Sequence, residues 1–299
     1  MEFFAALVRA SINSATPILL AALGGAFTYY ANVFNIAMEG MMLTGAYFGV
    51  IGSYFFGSWV MGILFAIISS IILSILFSIF AIYLRSDEFV TGIAINMLAL
   101  GSTTYLLRST FHVKGAFISS KIIGIPSWNI PFFDHIPILG SILNKYSFIV
   151  YISFFLAILV EIIVFNTRFG LRLRATGEEE EAARSLGINP LTIKFQSAIL
   201  SGLFCGIAGA FLSLGYINLF SENMSGGRGW ISLAIIILVR ARPMGILLLS
   251  LFFGFFEALG IVLQNSPIPP QFTKMVPYLA TLFALFVYAK QKKKQGDEI

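Results

Sequence analysis

The run VMGILFAIISSIILSILFSIFAIYL, residues 60–84, contains no charged residue and is long enough to cross a lipid bilayer. A transmembrane helix needs about 20 mostly apolar residues. Further runs of this kind occupy residues 12–31, 33–55, 91–107, 148–165, 197–217 and 244–264, and shorter ones occupy 229–239 and 275–289. The pattern predicts an all-α, polytopic integral membrane protein with about nine transmembrane helices, within a range of roughly eight to ten.

The composition supports a membrane protein and argues against soluble classes. The chain has 299 residues, of which 58% are hydrophobic and 11% are charged, whereas an ordinary soluble domain is about 25% charged. A soluble fold of this size could not cover its surface with so few ionic groups. A soluble enzyme, a nucleic-acid-binding protein and a disordered scaffold are therefore poor interpretations.

The sequence carries no motif for metal or phosphate chemistry. Cys205 is the only cysteine and lies within an apolar run, and neither His112 nor His135 has a neighbour at metal-ligand spacing. The GxxxxGK loop that holds nucleotide phosphates is also absent from the sequence. We therefore expect no metal site, no catalytic residue and no cofactor in this chain.

One transmembrane domain is expected over residues 1–299, because neither an internal repeat nor a linker is evident. Its orientation follows from Lys and Arg, which are enriched in cytoplasmic loops. Nine passes would put twelve of the nineteen basic residues on the side of the 166–196 loop and the C-terminal tail. They are Arg85, Arg168, Arg172, Arg174, Arg184, Lys194, Arg240, Arg242, Lys290, Lys292, Lys293 and Lys294. We predict that this side, with the C-terminus, is cytoplasmic.

The 166–196 loop reads RFGLRLRATGEEEEAARSLGINPLTIKF over residues 168–195 and predicts a short cytoplasmic helix. Thr176 followed by Glu179 matches a capping box, in which the hydroxyl accepts from an early backbone amide. The glutamates at 178–181 suit the first turn, where the helix dipole favours negative charge.

The second half of the predicted helix has matching signals. Arg184 lies four residues after Glu180, which favours an ion pair. Gly187 is expected to end the helix in the left-handed conformation, and Asn189 and Pro190 to stop it.

One face of the predicted helix carries Ala182, Ala183 and Leu186. Small residues allow close approach, so the helix could dock in a groove of a cytoplasmic partner. The alternative is a solvated connector whose acidic turn only aids solubility. The local sequence leaves both interpretations open.

Carboxylates inside membrane spans are costly and are default candidates for function. Glu39, Glu161 and Glu257 qualify, and no Lys or Arg is expected deep enough in a span to pair with them. Glu39, together with Asn35, would line or shape a path; alternatively, it is a structural carboxyl bonded to a helix break or a neighbouring span. An interhelical hydrogen bond is expected for Glu257.

Other polar and small residues have two interpretations as well. Asn96, Ser102, Thr103 and Thr104 on the fourth span could bond a polar solute or join neighbouring helices. The turn at 225–229 is expected to face outside, before a short run that is tilted, re-entrant or broken. Two small-residue faces predict tight helix packing: Ala198, Gly202, Gly206 and Ala210, and Gly45, Gly49 and Ser53.

Three separated blocks carry a family resemblance. They are TPILLAALGGAFTYYANVFNIAMEGMMLTGAYFG at 16–49, GLRLRATGEEEEAARSLGI at 170–188 and SGLFCGIAGAFLSLGYINLFSENMSGGRGWISLA at 201–234, continued by PMGILLLSLFFGFFEALGIVLQ at 243–264. In this order they resemble the permease subunits of ATP-binding-cassette (ABC) importers. Within the branched-chain amino acid, sugar and nucleoside branch, the bacterial nucleoside permeases are most similar. The sequence departs from the family pattern at Tyr29-Tyr30 and at residues 239–242.

The resemblance implies roles for particular residues. The helix at about 177–186 would be a coupling helix seated in a cleft of an ATPase subunit. The coupling residues would be Thr176, Gly177, Glu178, Glu179, Glu181, Ala182, Ala183, Arg184, Leu186 and Gly187. The candidates for the translocation path are Asn35, Glu39, Asn96, Thr103 and Glu257.

The resemblance also implies partners. ATP and Mg would bind a separate ABC ATPase subunit, and the pore would include a second permease, expected to be non-identical. An extracytoplasmic solute-binding lipoprotein would deliver a nucleoside, and the complex would lie in the lipid bilayer of a bacterial plasma (inner) membrane. No nucleic-acid partner is expected.

Three other functions stay open at this point. Within the family, the solute could be a sugar or a branched-chain amino acid. From another class, an ion-coupled secondary transporter could use the three carboxylates as ion sites, and a passive channel is a further alternative. The docking features of the inner loop and the lack of an inverted repeat favour the importer.

Overall fold

The structure, a computed structural model, describes residues 2–128, 146–264 and 279. These ranges contain ten α-helices and four short strands. The helices are α1 Glu2–Tyr30, α2 Met38–Phe56, α3 Trp59–Phe77, α4 Glu88–Phe111, α5 Phe148–Asn166, α6 Arg168–Glu178, α7 Glu180–Ser185, α8 Pro190–Ala210, α9 Arg228–Leu238 and α10 Pro243–Leu263. The strands are β1 Ala116–Ile118, β2 Ser127–Trp128, β3 Tyr146–Ser147 and β4 Leu219–Ser221.

Six helical spans are long and apolar enough to cross a membrane, which confirms the predicted all-α, polytopic class. They are Phe4–Tyr30, Trp59–Tyr83, Glu88–Phe111, Phe148–Asn166, Pro190–Tyr216 and Pro243–Leu263. Two of these spans are longer than α3 and α8 because each helix continues as a π-helix, at Ser78–Tyr83 and Phe211–Tyr216.

The predicted count of about nine passes is not confirmed. α2 has 19 residues but is not among the six spans, and α9 has only 11 residues. The run at 275–289, apart from residue 279, and the lysine tail at 290–294 lie outside the described residues.

Helices α1, α2 and α8 form the centre of the bundle, with α3 against α2 and α8 and with α10 against α1. Gly206 of α8 lies so close to α3 that a Cβ atom would come 2.7 Å from Ile67 Cα. The Ser74 hydroxyl of α3 donates to the Ala198 carbonyl of α8 at 2.5 Å. The small-residue faces of α2 and α8 are therefore confirmed as packing surfaces.

The two ends of the bundle are built differently. At one end, which we call the α7 end, α6 contacts α1, α5 and α8, and α7 contacts α6 and α8. At the opposite end β1 pairs antiparallel with β4, and β2 with β3. Arg108 bonds Glu222 there at 3.0 Å. Residues 112–128 contain no helix.

Candidate functional site

The predicted short helix is divided in the structure, and the predicted capping box is wrong. Glu179 has extended backbone angles, φ −149° and ψ 102°, which separate α6 from α7. Thr176 therefore lies inside the last turn of α6, where its hydroxyl donates to the Arg172 carbonyl at 2.8 Å. Glu179 begins α7 without a side-chain hydrogen bond to the helix.

Gly177 belongs to a helix contact and not to the exposed surface of α7. A Cβ atom at this position would collide with the carbonyl oxygen of Tyr30, at the end of α1. The Tyr30 ring in turn lies edge-on to Phe165 of α5, with ring centroids 5.8 Å apart. Thr176 is 2% exposed beside this contact. Both residues thus hold α6 against the bundle.

Glu180 ties α7 to α8. Its carboxylate accepts from Lys194 Nζ at 2.7 Å and from Arg184 at 3.2 Å, so the predicted Glu180–Arg184 pair is confirmed. The hydrogen bond from Lys194 holds the pKa of the Glu180 carboxyl below its usual range. Glu180 was not among the predicted coupling residues, and its second partner, Lys194, is 14 residues away in the sequence.

The outward face of α7 differs from the predicted one. Ala183 is 2% exposed and faces the bundle, so it cannot contact a partner. Leu186 is 80% exposed, and Glu181, Ala182 and Ser185 are exposed beside it. Ala183 and Leu186 point differently because Leu186 lies beyond the last helical residue, as the C-cap. The following residue, Gly187, has φ +79°, as predicted for its left-handed position.

Two open cavities lie at the α7 end. One of about 460 Å³ separates α7 from the neighbouring ends of α3 and α4, and charged side chains of both signs line it. They are Arg85, Glu88, Glu180, Glu181, Arg184 and Lys194. The other, of about 370 Å³, lies between the end of α1 and α6. The ion pair between Glu180 and Lys194 thus holds α7 next to the larger cavity.

Residues 31–37, between α1 and α2, are not helical. Two asparagines form hydrogen bonds with backbone N–H and C=O groups in this segment and next to it. Asn96 of α4 accepts from Gly40 N at 2.7 Å and donates to the Ile36 carbonyl at 3.0 Å. Asn35 accepts from Ala37 N at 3.0 Å, and its amide donates to the Ser201 hydroxyl at 2.9 Å. Irregular backbone at membrane depth requires such partners.

Glu39 caps the short helix α9. Its carboxylate oxygens accept from Gly227 N at 2.8 Å and from Gly229 N at 2.6 Å. A negative group is favourable here because the amino end of a helix carries partial positive charge. A Cβ atom at Gly229 would come 2.6 Å from Glu39 Cα, so glycine permits this close approach. Of the two interpretations of Glu39, the contacts favour the structural one.

Arg228 and Glu257 form a largely enclosed ion pair between α9 and α10, with side-chain exposures of 15% and 13%. The expectation that no basic residue reaches the span carboxylates was therefore wrong. The turn at 225–229 leads into α9, a helix of 11 residues, which agrees with the short run expected after it. The sequence signal for this broken helix was the glycine-rich turn at 225–229, followed by an apolar run too short to cross a membrane.

Thr103 also faces the bundle. It is 1% exposed, and its hydroxyl donates to the Ala99 carbonyl of its own helix at 2.7 Å. All five predicted path residues are thus engaged in contacts within the chain. The contacts of Glu39 and Asn96 hold the non-helical segments that precede α9 and α2. Two of the polar partners, Ser201 of Asn35 and Arg228 of Glu257, were not predicted from the sequence.

The chain matches a family model. The family is described as branched-chain amino acid transport system / permease component, and the match covers residues 7–285.

Two curated relatives are similar over nearly their whole length. The chain is 34% identical to the nucleoside ABC transporter permease protein NupC of Lactococcus lactis, over 91% of this chain and 89% of that protein. It is 33% identical to the guanosine ABC transporter permease protein NupQ of Bacillus subtilis, over 95% of this chain and 92% of that protein.

A solved structure has a similar fold. It is a chain of a metal-chelate type ABC transporter in an inward-facing conformation, with a TM-score of 0.52 and 18% identity. The match covers 94% of this chain and 86% of that chain. At this identity the likeness concerns the fold alone.

Proposed function

The chain belongs to the branched-chain amino acid transport system / permease component family, and we propose, from two of its curated relatives, that it carries nucleosides. It is a multi-pass plasma-membrane protein and the permease subunit of an ABC importer, with an ATPase as its partner. The names of the two curated relatives carry the assignment of a nucleoside as the solute.

The ATPase docks on α7 in this proposal. The exposed surface of Leu186, Ala182, Ser185 and Glu181 supports it, because an isolated leucine that is 80% exposed is a natural anchor for a groove on a partner. The 460 Å³ cavity beside α7 leaves room for a partner's side chains. The α7 end is then the cytoplasmic side, in agreement with the basic residues that the sequence concentrates there.

ATP and Mg bind the partner, and this chain is non-catalytic. A second permease, different from this one, completes the pore, and an extracytoplasmic binding lipoprotein delivers the nucleoside to the end that holds β1 and β4. The chain's own task is to convert movement of α7 into opening and closing of the path, a rigid-body transition of the kind that couples sites in transporters.

Uptake by the assembled complex tests this proposal. The chain is reconstituted in proteoliposomes with its ATPase, second permease and binding protein, and radiolabelled guanosine, adenosine, uridine and cytidine are offered, with glucose and leucine as controls. We expect ATP-dependent accumulation of at least one nucleoside, at least tenfold above the level with an ATPase that lacks its phosphate-binding lysine.

Two outcomes would overturn different parts of the proposal. Accumulation driven by a sodium or proton gradient without the ATPase would favour an ion-coupled secondary transporter. ATP-dependent accumulation of glucose or leucine, with no nucleoside transported, would keep the importer and reject the nucleoside.

A further inference from the structure

The exposed face of α4 is unlike the other exposed helix faces. The α4 span has a mean hydropathy of 1.4, and within the described chain only 33% of it is buried. The spans of α3, α5 and α10 are also 33–39% buried, but their mean hydropathies are 2.4–2.8. The α1 and α8 spans have lower values of 1.4 and 1.9, and they are 67–72% buried. Among the six spans, α4 alone combines low hydropathy with little coverage.

The residues of this face explain the low hydropathy. One side of α4, with Ile95, Ala99, Thr103 and Leu107, packs on the bundle. The opposite side carries Ala94, Met97, Leu98, Gly101 and Tyr105, with Met97 69%, Leu98 49% and Tyr105 71% exposed. The hydroxyl groups of Thr104 and Tyr105 have no hydrogen-bond partner among the described residues. An unpaired hydroxyl in hydrocarbon costs on the order of 1–3 kcal/mol, so water suits this face better than lipid.

The exposed faces of α3 and α5 show what a lipid-facing surface of this chain looks like. They are formed by large aliphatic and aromatic residues at helical spacing: Val60, Leu64, Ile68 and Ile72 on α3, and Phe155, Ile158 and Ile162 on α5. Neither set includes a glycine or a hydroxyl group. The α4 face, which we call the Gly101 face, consists of Ala94, Met97, Leu98, Gly101 and Tyr105 and differs from them in its glycine and its tyrosine hydroxyl.

An exposed tyrosine has two explanations: it belongs to the aromatic belt at the membrane surface, or it faces a water-filled path. The depth of the neighbouring residues in the membrane distinguishes them. Tyrosine is common where helices leave the membrane, and Tyr105 lies about 9 Å from the end of α4 at Phe111 by helical rise. Gly101, however, lies about 15 Å from that end and about 20 Å from the other, close to the middle of the helix. A surface belt of aromatic residues does not account for an uncovered glycine at mid-membrane.

We propose that the Gly101 face is a wall of the water-filled solute path, completed on its other side by the second permease. This inference rests on the proposed function and names the residues that a nucleoside meets on its way. The uncovered Tyr105 ring offers a flat surface on which a nucleobase stacks, and the Thr104 hydroxyl offers a hydrogen bond to a polar solute. Asn96 and Thr103, the residues predicted for contact with solute, lie on the packed side of the same helix.

Cysteine accessibility tests the proposal without reference to the solute. The native Cys205 is fully buried and is first replaced by alanine. Gly101→Cys is then compared with Ile72→Cys and Ile158→Cys, which lie near the middle of the spans Trp59–Tyr83 and Phe148–Asn166 and are 59% and 50% exposed. A Cβ atom at Gly101 meets no atom within 4 Å, so the substitution fits without strain. A charged, membrane-impermeant methanethiosulfonate reacts with the assembled complex in proteoliposomes, and modification is measured by mass spectrometry.

We expect Gly101→Cys to react at least tenfold faster than Ile72→Cys and Ile158→Cys, because a thiol in lipid neither ionises nor meets the charged reagent. Equal, slow reaction at all three positions would overturn the proposal and place lipid or protein against the Gly101 face. Rapid cross-linking of Gly101→Cys to the second permease without reaction with the reagent would show a packed interface and would overturn it as well.

A bulky substitution provides the functional arm. Gly101→Trp is expected to lower ATP-dependent uptake at least tenfold while the ATPase still co-purifies, and Ile72→Trp is expected to leave uptake within twofold of the wild-type value. Normal uptake by Gly101→Trp would contradict the proposal. Because accessibility is measured without solute, a complex that rejects every nucleoside but reacts at Gly101→Cys would refute the proposed substrate and leave this inference standing.

Discussion

Glu39 shows how a charged residue at membrane depth is used to hold a break in the fold. Its carboxylate accepts two backbone N–H groups at the beginning of α9, at 2.8 and 2.6 Å. Hydrogen bonds to a charged group contribute about 1.5–3 kcal/mol each, and an amide left unsatisfied in the interior costs about 1–3 kcal/mol. The main role of Glu39 is therefore structural. α9 depends on this cap because a helix of 11 residues is too short to be stable alone.

We predict that Glu39→Ala lowers the free energy of unfolding by on the order of 3 kcal/mol, because two amide groups lose their acceptor. Glu39→Gln should cost about half as much, since its amide oxygen replaces only one of the two carboxylate oxygens. Thermal unfolding of the purified chain in detergent, followed by tryptophan fluorescence, measures the effect. Glu179→Gln is the control, because Glu179 is exposed and makes no capping bond. An unchanged midpoint for Glu39→Ala, combined with loss of transport, would instead favour a direct role in the path.

At the level of elements, α7 is a short helix with one side held against the bundle and the other side exposed. Glu180 and Lys194 join it to α8, and Ala183 packs inward at 2% exposure. Leu186 projects outward, next to a left-handed Gly187 that ends the helix. A partner that binds this outward side therefore moves α7 together with α8.

Substitutions on the two sides of α7 should have opposite effects. Leu186→Glu is predicted to reduce co-purification of the ATPase at least tenfold while the thermal midpoint stays within about 2 °C, because the change places charge in the docking surface only. Ala183→Glu is predicted to lower the yield of folded chain, because it buries an unpaired carboxylate. Pull-down of the tagged ATPase and thermal unfolding measure both. Undiminished co-purification by Leu186→Glu would exclude this face as the docking surface.

Local rules predicted the local features of these elements correctly. The pair Glu180–Arg184 spans four residues, and the left-handed Gly187 follows from the conformational freedom of glycine at a helix end. The hydropathy of single runs likewise predicted the six long spans. Each of these depends on neighbours within one helix, so the sequence contains the whole signal.

Features that depend on distant contacts were missed. The capping box failed because Thr176 is held within α6, next to the contact of Gly177 with Tyr30, which is 147 residues away. The pairing of Arg228 with Glu257 and of Glu39 with Gly229 depends on how α9 is placed, and α9 is too short for hydropathy alone to orient it. A single sequence contains no direct signal for such pairs.

In the molecule as a whole, a continuous set of contacts joins α7 to the broken helices. Glu180 and Lys194 connect α7 with α8, and Gly177 of α6 lies against Tyr30 of α1. The Tyr30 hydroxyl donates to the Arg240 carbonyl, just beyond the end of α9, at 3.5 Å. The other end of α9 is held by Glu39 of α2. Movement of α7 as a rigid element would therefore reach both α2 and α9.

ATP hydrolysis by the complete reconstituted complex tests whether this chain links a nucleoside to the ATPase. The hydrolysis rate is measured with binding protein that is empty, loaded with a nucleoside, or offered glucose or leucine. We predict that the nucleoside-loaded protein raises the rate at least threefold over the empty protein, that glucose and leucine do not, and that Leu186→Glu abolishes the increase. A hydrolysis rate that is the same with and without every nucleoside, in a complex that contains all its subunits, would contradict the assignment.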